Sequence, residues 1–401
     1  MQIYRLNKSS ELTTRAIIIS HMDLDGVMSA YLCDRAYRGC TGYTKEQVQV
    51  VGEYSPEPRA TLACLKQALY KLKTDEELSI FVLDRSNISP EEINKLVADG
   101  WIKPRWKITC IDHHNTNFKQ EDYERTIVRV NQIVDDKNSA AMNVLNFFSQ
   151  FGYEFDDKIR EITRLTSIYD RFAWLSEEIT KEDELKAKYL NRVCGINHRN
   201  EFLDMVENYP LNYLLETGEA ASNVISMMVK KIYRELSEDK NDFLVHCFKN
   251  GNGESLNILF IRKNIEYLYV SELSELIFDE NEDIHILAYI DSNLGSLSLR
   301  SRESGKYINI SDMISSLKLN GGGHPGAGGY FAHKSCVKKE LINKIYSDQS
   351  HLMVNFINDV IDYINYNNDL RGFKYSSGDT FYGMDESCKS YLESVSLYEN
   401  E

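Results

Sequence analysis

Cys110-Ile111-Asp112-His113-His114-Asn115 is the stretch whose reading decides the fold. The apolar run Ile108 to Ile111 reads as a buried strand, and it ends in an acid and two imidazoles. In an open α/β sheet, ligands collect at the carboxyl ends of strands. An ionised aspartate costs several kcal/mol to bury unpaired, so a metal or a charged substrate is a fitting partner. These residues alone leave a second reading open, in which Asp112 caps a turn and the histidines lie on the surface.

Upstream, Arg15 to Ser20 is a short buried strand that runs into His21-Met22-Asp23-Leu24-Asp25-Gly26. A helix is expected from Val27 to about Tyr37. If the chain before it is extended, His21, Asp23 and Asp25 project to one side, and Gly26 allows a tight turn into the helix. An Asp N-cap would account for Asp25 but not for His21 and Asp23. Val48 to Gly52 reads as a strand and Pro58 to Leu72 as an amphipathic helix. Leu78 to Leu83 is a strand ending in Asp84. Ser89-Pro90-Glu91-Glu92 carries the signature of a capped helix start. Strands alternating with helices indicate a mainly parallel sheet. Right-handed crossovers then put the strand ends on one edge. His21, Asp23, Asp25, Asp84, Asp112, His113 and His114 are therefore expected to meet.

Further on, Thr126 to Val130 reads as a strand, Ser139 to Phe148 as a helix capped by Asn138 or Ser139, and Asp156 to Ile168 as another helix. Asp170 closes that helix, where an acid opposes the macrodipole and a cation would remove the penalty; a solvated loop acid is the alternative. Residues 176 to 200 are densely charged and read as a solvated connection, and Glu219 to Leu236 as a long linking helix. A second α/β unit begins near Phe243, with strands at Phe243 to Phe248, Leu256 to Phe260, Ile284 to Ile290 and Leu297 to Ser301. Alternation sets Leu297 and Leu299 against Ser298, Arg300 and Arg302. Arg300 then lies on an exposed face, where its planar guanidinium suits phosphate or a surface ion pair. Asn320-Gly321-Gly322-Gly323-His324-Pro325-Gly326-Ala327-Gly328-Gly329 reads as a phosphate-cradling loop, with a flexible linker as the alternative. Cys336 to Ser347 and His351 to Tyr366 read as helices. The last 35 or so residues carry no chemical signal.

The 401 residues suffice for two or three domains, and the 42% hydrophobic content supports a proper core. A net charge of −15 opposes broad duplex DNA binding, which needs a basic face. It leaves room for a short anionic substrate held by metals and local Arg or Lys. No apolar stretch of about 18 residues exists, so no membrane contact is expected. Met1 to Ser10 lacks a signal peptide's apolar centre. The eight scattered cysteines form no Cys-x-x-Cys pair. The expected location is cytoplasmic.

Together, His21-x-Asp23-x-Asp25-Gly26, Asp84, Asp112-His113-His114 and Asp170 resemble the four N-terminal motifs of the DHH phosphoesterase family. Ser298-Leu299-Arg300-Ser301 and Gly321-Gly322-Gly323-His324 resemble its C-terminal DHHA1 substrate domain. Ser20 to Val27 and the chain length are most similar to the nanoRNase B type oligoribonucleases. Several branches space the first motif as His-x-x-x-Asp-x-Asp, whereas here it is His-x-Asp-x-Asp. The resemblance implies a two-lobed α/β protein. Its parts would be a parallel-sheet DHH catalytic domain over 1–195, a helical linker over 196–240, a smaller α/β DHHA1 domain over 241–335 and a C-terminal helical extension over 336–401. It also implies two Mn²⁺ ions, with Mg²⁺ or Co²⁺ as alternatives. His21 and Asp23 would hold one, Asp25, His113 and Asp170 the other, and Asp84 would bridge. Asp112 would orient the histidines, and His114 would touch the scissile phosphate. Arg300, Ser301, Gly321, Gly322, Gly323 and His324 would bind substrate. The implied activity is hydrolysis of short single-stranded oligonucleotides to nucleoside monophosphates by two-metal hydroxide attack, in a chain that forms homodimers as family members often do. Three other activities fit the same motifs: cleavage of cyclic or linear dinucleotides, RecJ-like single-strand exonuclease action, and non-catalytic nucleotide sensing.

Overall fold

The computed structural model describes residues 2–5, 14–53, 58–70, 72, 77–85, 88–114, 118–171, 173, 179–238, 243–250, 255–291, 296–302, 308–331, 349–366 and 373–374. The chain divides into two compact units, Met1–Asn223 and Val224–Glu401. No helix among the described residues is long and apolar enough to cross a membrane.

In the first unit the order is β1 (Gln2–Arg5), β2 (Ala16–His21), α1 (Leu24–Thr41), β3 (Val48–Glu53), α2 (Pro58–Tyr70), β4 (Ser79–Leu83), α3 (Pro90–Ala98) and β5 (Lys107–Asp112). There follow β6 (Arg129–Val134), α4 (Ala140–Gln150), α5 (Asp157–Asp170), α6 (Lys181–Ile196), α7 (Arg199–Asn208) and α8 (Leu211–Glu238), the last running on into the second unit. The sheet order is β1-β3-β2-β4-β5-β6. The last five strands of that order pair in parallel, and β1 adds an antiparallel edge. Helix α1 and helices α4 to α7 bury one face of the sheet, on Ile18, Leu83 and Ile111. Helices α2 and α3 bury the other, on Ile17, Ile80 and Ile108. The direction of strand progression reverses between β2 and β4, which makes their carboxyl ends a topological switch point.

Several boundaries differ from the sequence expectation. Helix α1 begins at Leu24, not Val27, because Asp23 is its N-cap and accepts a hydrogen bond from the Gly26 N–H at 2.9 Å. A Cβ on Gly26 would lie 2.4 Å from the His21 carbonyl oxygen, so glycine serves a close approach inside the helix rather than a turn before it. The expected strand Thr126 to Val130 starts later, at Arg129, since the Thr126 hydroxyl is bonded to Tyr123 O and Val128 O. The charged stretch 176–200 is mostly helix α6. Thr180 caps it, and Ala187, Leu190, Val193 and Cys194 bury an apolar stripe, with Arg192 buried beside them. The described end of the first sheet, β6, is partly occupied by a side chain. The Gln120 amide donates to Val130 O at 3.0 Å and accepts from Gln132 N at 2.7 Å.

The second unit contains β7 (Phe243–Asn250), β8 (Ser255–Ile261), α9 (Tyr267–Glu280), β9 (Ile286–Asp291), β10 (Ser296–Ser301), α10 (Ile310–Ser316), β11 (Asn320–His324), β12 (Ala327–Phe331), α11 (Gln349–Tyr366) and β13 (Phe373–Lys374). Its sheet order is β11-β12-β10-β9-β8-β7-β13. The glycine run, expected as a loop, is an antiparallel hairpin turning at Pro325-Gly326. A Cβ on Gly323 would lie 2.3 Å from Gly328 Cα, so the two strands approach more closely than side chains would permit. The expected helix Cys336 to Ser347 and most of the last 35 or so residues lie outside the described residues.

Helix α11 is part of the second core. Phe356, Ile357, Val360, Tyr363 and Ile364 are buried with strands β8 to β10. The Tyr330 hydroxyl of β12 donates to Asp359, and Tyr363 donates to Asp312 at 2.7 Å. Phe356 sits edge-on to Phe260 with ring centroids 5.9 Å apart. Phe356→Ala should therefore cost about 3–5 kcal/mol, as truncation of a buried aromatic does. Thermal unfolding checks this: a Tm equal to wild type would mean that α11 is an appendage.

Candidate metal centre

Three parallel strands deliver acids or imidazoles to one edge. His21 ends β2, Asp84 follows β4, and Asp112, His113 and His114 close β5. Asp23 and Asp25 enter from the cap and first turn of α1, and Asp170 from the last residue of α5. The expected meeting of sequence-distant groups is present. Ligand atoms of His21, Asp23 and Asp84 lie within 4.8 Å of one another, as do those of Asp25, His113 and Asp170. A third set, Asp84, Asp112, His113 and His114, overlaps both. Asp84 faces two ways: Oδ2 is 3.9 Å from His21 Nδ1, and Oδ1 is 3.4 Å from His113 Nε2. His113 Nε2 is also 3.2 Å from Asp170 Oδ2.

Each side chain is aimed by its neighbours. His21 Nδ1 donates to Asp23 Oδ2 at 2.7 Å, while the other Asp23 oxygen caps α1. Asp25 is buried, and its oxygens accept the Ala140 and Ala141 N–H groups at 2.7 and 2.9 Å. These are first-turn amides of α4, which point at an anion. Asp112 Oδ1 accepts the His113 and His114 backbone N–H groups at 2.8 and 3.2 Å, and His114 Nδ1 at 2.8 Å. The Asn143 amide of α4 donates to the carbonyls of Asp112 and Asp135, tying the ends of β5 and β6 together. Arg199 of α7 donates through Nε to Met22 O at 2.7 Å, between His21 and Asp23. Neither the α4 amides nor Arg199 is legible in the sequence. They reach the site over 115 and 177 residues of chain, and backbone donors leave no residue-type signature.

Repulsion dominates the electrostatics. Burial, then the charges of Asp23, Asp25, Asp170 and Asp112, pushes the Asp84 carboxyl far above the ordinary range. Burial, then Asp25 and Asp23, does the same to Asp170. Burial and the Asp23 charge raise Asp25 to about 7. Burial alone would raise Asp23 too, but the charge and hydrogen bond of His21 hold it well below the usual range. Burial opposes protonation of His114, yet Asp112's charge and hydrogen bond lift it to about 9. Both Asp84 oxygens and Oδ2 of Asp170 are buried and meet no hydrogen-bond donor among the described residues. Orphaned carboxylate oxygens among imidazoles are what a divalent cation requires. A donor set without thiolate suits Mn²⁺ or Mg²⁺ better than structural zinc.

The second unit carries its own cluster. Arg300 pairs across strands with Ala327, and Ala327 with His324, so all three share one sheet face. Ser298, Gly329 and Gly322 form the next row on that face. Above Gly322 a Cβ would meet nothing within 4 Å among the described residues, so the floor is open. Arg300 is half-buried, with one guanidinium nitrogen donating to Ser298 Oγ and Leu299 O at 3.2 and 2.7 Å. Ser301 is buried on the other face, beside Leu299 in the alternation, and its hydroxyl donates to Arg302 O. Gly321 and Gly323 form the hairpin backbone beside that floor. Arg302 instead donates to Phe278, Asn281 and Ile284 carbonyls, satisfying the end of α9.

No protein-family model and no curated protein matches the sequence. Solved structures do match in shape. The DHH domain of a protein assigned to a family of ribosomal proteins aligns with 84% of this chain and 87% of its own, at 16% identity and a TM-score of 0.52. RecJ in complex with Mn²⁺ from Thermus thermophilus aligns with 85% of this chain and 52% of its own, at 10% identity and a TM-score of 0.51. An exonuclease RecJ bound to manganese covers 84% of this chain and 88% of its own, at 12% identity and a TM-score of 0.48. The chain has the fold of DHH-domain proteins: an α/β unit built on five parallel strands, followed by a second α/β unit.

The carboxylate shifts set a pH dependence for the metal-free protein. Asp25 is raised in the folded chain from 3.8 to about 7. Between those values the folded state holds a proton that the unfolded state has released, so stability falls as pH rises through the window. The contribution is whole below 3.8 and lost above about 7. Chelator-stripped protein should therefore melt lower at pH 8 than at pH 5, and added Mn²⁺ should close the gap. A metal-free Tm that rises over that interval would show that burial does not strain this carboxylate.

Proposed function

We propose that the protein is a metal-dependent phosphodiesterase that hydrolyses short single-stranded oligonucleotides to nucleoside monophosphates. The observation that carries this reading is Asp84, whose two donorless oxygens face separate ligand sets. His21 and Asp23 would complete one site, and Asp25, His113 and Asp170 the other. The Mn²⁺ held by the Thermus thermophilus RecJ supports manganese as the ion. When bound, two such ions supply a nucleophile at neutral pH and clamp phosphate oxygens.

The chain's own groups do the rest. His114 is half-exposed at the edge of the cluster and keeps its proton at neutral pH through Asp112. It can donate that proton to a phosphate oxygen or to the departing 3′ oxygen. Asp112 acts only through the histidines it orients. In the second unit, Arg300 and His324 flank Ala327 beside the glycine row of Gly322 and Gly329, where a terminal phosphate fits against backbone. Gly322 keeps that floor open, Gly321 and Gly323 let the hairpin strands approach beside it, and Ser301 contributes to the strand rather than to its open face. Recognition of one chain end by a compact cluster, in a protein of net charge −15, favours short substrates over a long electrostatic track.

The test is hydrolysis of 5′-labelled RNA and DNA of two, five and twenty-four nucleotides, plus a cyclic dinucleotide, with Mn²⁺ or EDTA. Rapid Mn²⁺-dependent loss of the dimer and pentamer, with the longest substrate slow, is the expected result. Faster loss of the longest substrate, or cleavage of the cyclic one alone, would overturn the substrate class; no cleavage at all would leave a nucleotide-binding protein. Asp84→Ala should abolish turnover at every Mn²⁺ concentration. Arg300→Ala should raise KM more than it lowers kcat, because its contact with the phosphate is made in ground and transition states alike.

A further inference from the structure

Asp84 occupies the left-handed region of backbone space, uncommon for any residue but glycine, with φ at +52°. Non-glycine residues in this left-handed region are strained and persist where surrounding structure over-determines them. One restraint is backbone: Asp84 N–H donates to Ile111 O at 3.0 Å. The other comes from the next residue. Arg85 is 2% exposed, a rare degree of burial for a guanidinium. Its Nε donates to the Thr61 hydroxyl of α2 at 2.7 Å and one terminal nitrogen to Glu53 O at 3.1 Å. Glu53 ends β3 and pairs with His21, the last residue of β2. The Arg85 side chain thus leaves the end of β4, passes the end of β2 and fastens on the end of β3, with α2 as second anchor.

We propose that Arg85 is a positioning residue for the metal centre: its two anchored hydrogen bonds hold Asp84 in the left-handed conformation and so aim the shared carboxylate at both ligand sets. The bonds Arg85 makes to Thr61 and Glu53 end on α2 and β3 and not on a ligand atom of the cluster. A planar fork can make both bonds at fixed angles, whereas a lysine ammonium cannot reproduce that geometry. The proposal rests on the reading of the cluster as a two-metal centre.

Two measurements test it. The first is Mn²⁺ binding to the chelator-stripped full chain, followed by the electron paramagnetic resonance of free Mn²⁺. Arg85→Lys and Thr61→Val should weaken binding by roughly 10–100-fold, as loss of outer-shell partners does. Thr61→Ser, which keeps the acceptor, should bind as wild type does. The second uses no metal. Asp84→Gly and Asp84→Ala both remove the carboxylate, but only glycine relieves the backbone strain. Glycine should melt higher by about 2–4 °C, and the gap should shrink when Arg85→Met is added, because the clamp that enforces the conformation is gone. Wild-type affinity in Arg85→Lys and Thr61→Val, or a gap that survives Arg85→Met, would overturn the proposal. Failure of the wild-type chain to take up Mn²⁺ would instead sink the metal-centre reading, and the melting comparison would still decide the clamp.

Discussion

Mutual repulsion among Asp23, Asp25, Asp84, Asp112 and Asp170 is the constraint that the first unit is built around. Parallel strands with their carboxyl ends on one edge bring these groups together, and burial removes the water that would screen them. The fold answers the charge unevenly. Asp25 receives two amides from the start of α4, Asp112 receives three donors, and Asp23 has His21 and a helix cap. Among the described residues the Asp84 carboxylate meets no donor, and Asp170 leaves one oxygen bare. The chain thus supplies hydrogen bonds to the carboxylates at the rim of the cluster and leaves its centre to be neutralised by something else.

Much of this was legible in the amino-acid order, because each strand is an apolar run terminated by an acid or histidine. The cap at Ser89 was equally plain, since a hydroxyl before a helix has a local physical role, and the next was narrowed to Asn138 or Ser139, of which Ser139 is the cap. The readings that failed involve competition between local signals. Asp23 and Asp25 both precede the expected helix, and only the hydrogen bond from the Gly26 N–H to Asp23 decides which of them is the cap. In α6 the density of charge hid a buried stripe of four apolar residues. The glycine run was read as a phosphate-cradling loop, yet its permissiveness is used to bring two strands together. Asp170 was legible as an acid against a helix dipole, while its grouping with His113 came from the family resemblance alone, since contact across a fold has no sequence period.

The second unit solves a different problem with small residues. Its hairpin forgoes side chains along one row, and the neighbouring row places a cation and an imidazole on either side of Ala327. Such a surface has few rotatable bonds to order, so a ligand pays little conformational entropy to settle on it. Helix α11 stiffens the same sheet from behind, through Tyr330 and the aromatic ring of Phe356.

The Gln120 side chain has a consequence beyond its two hydrogen bonds. By bonding to Val130 and Gln132 it gives the outermost parallel strand a substitute for a neighbour. An uncovered strand is a template on which another chain can zip. With its amide in place, that border of the sheet is closed to strand addition at those two positions, and recruitment of an extended peptide there would first have to evict a glutamine.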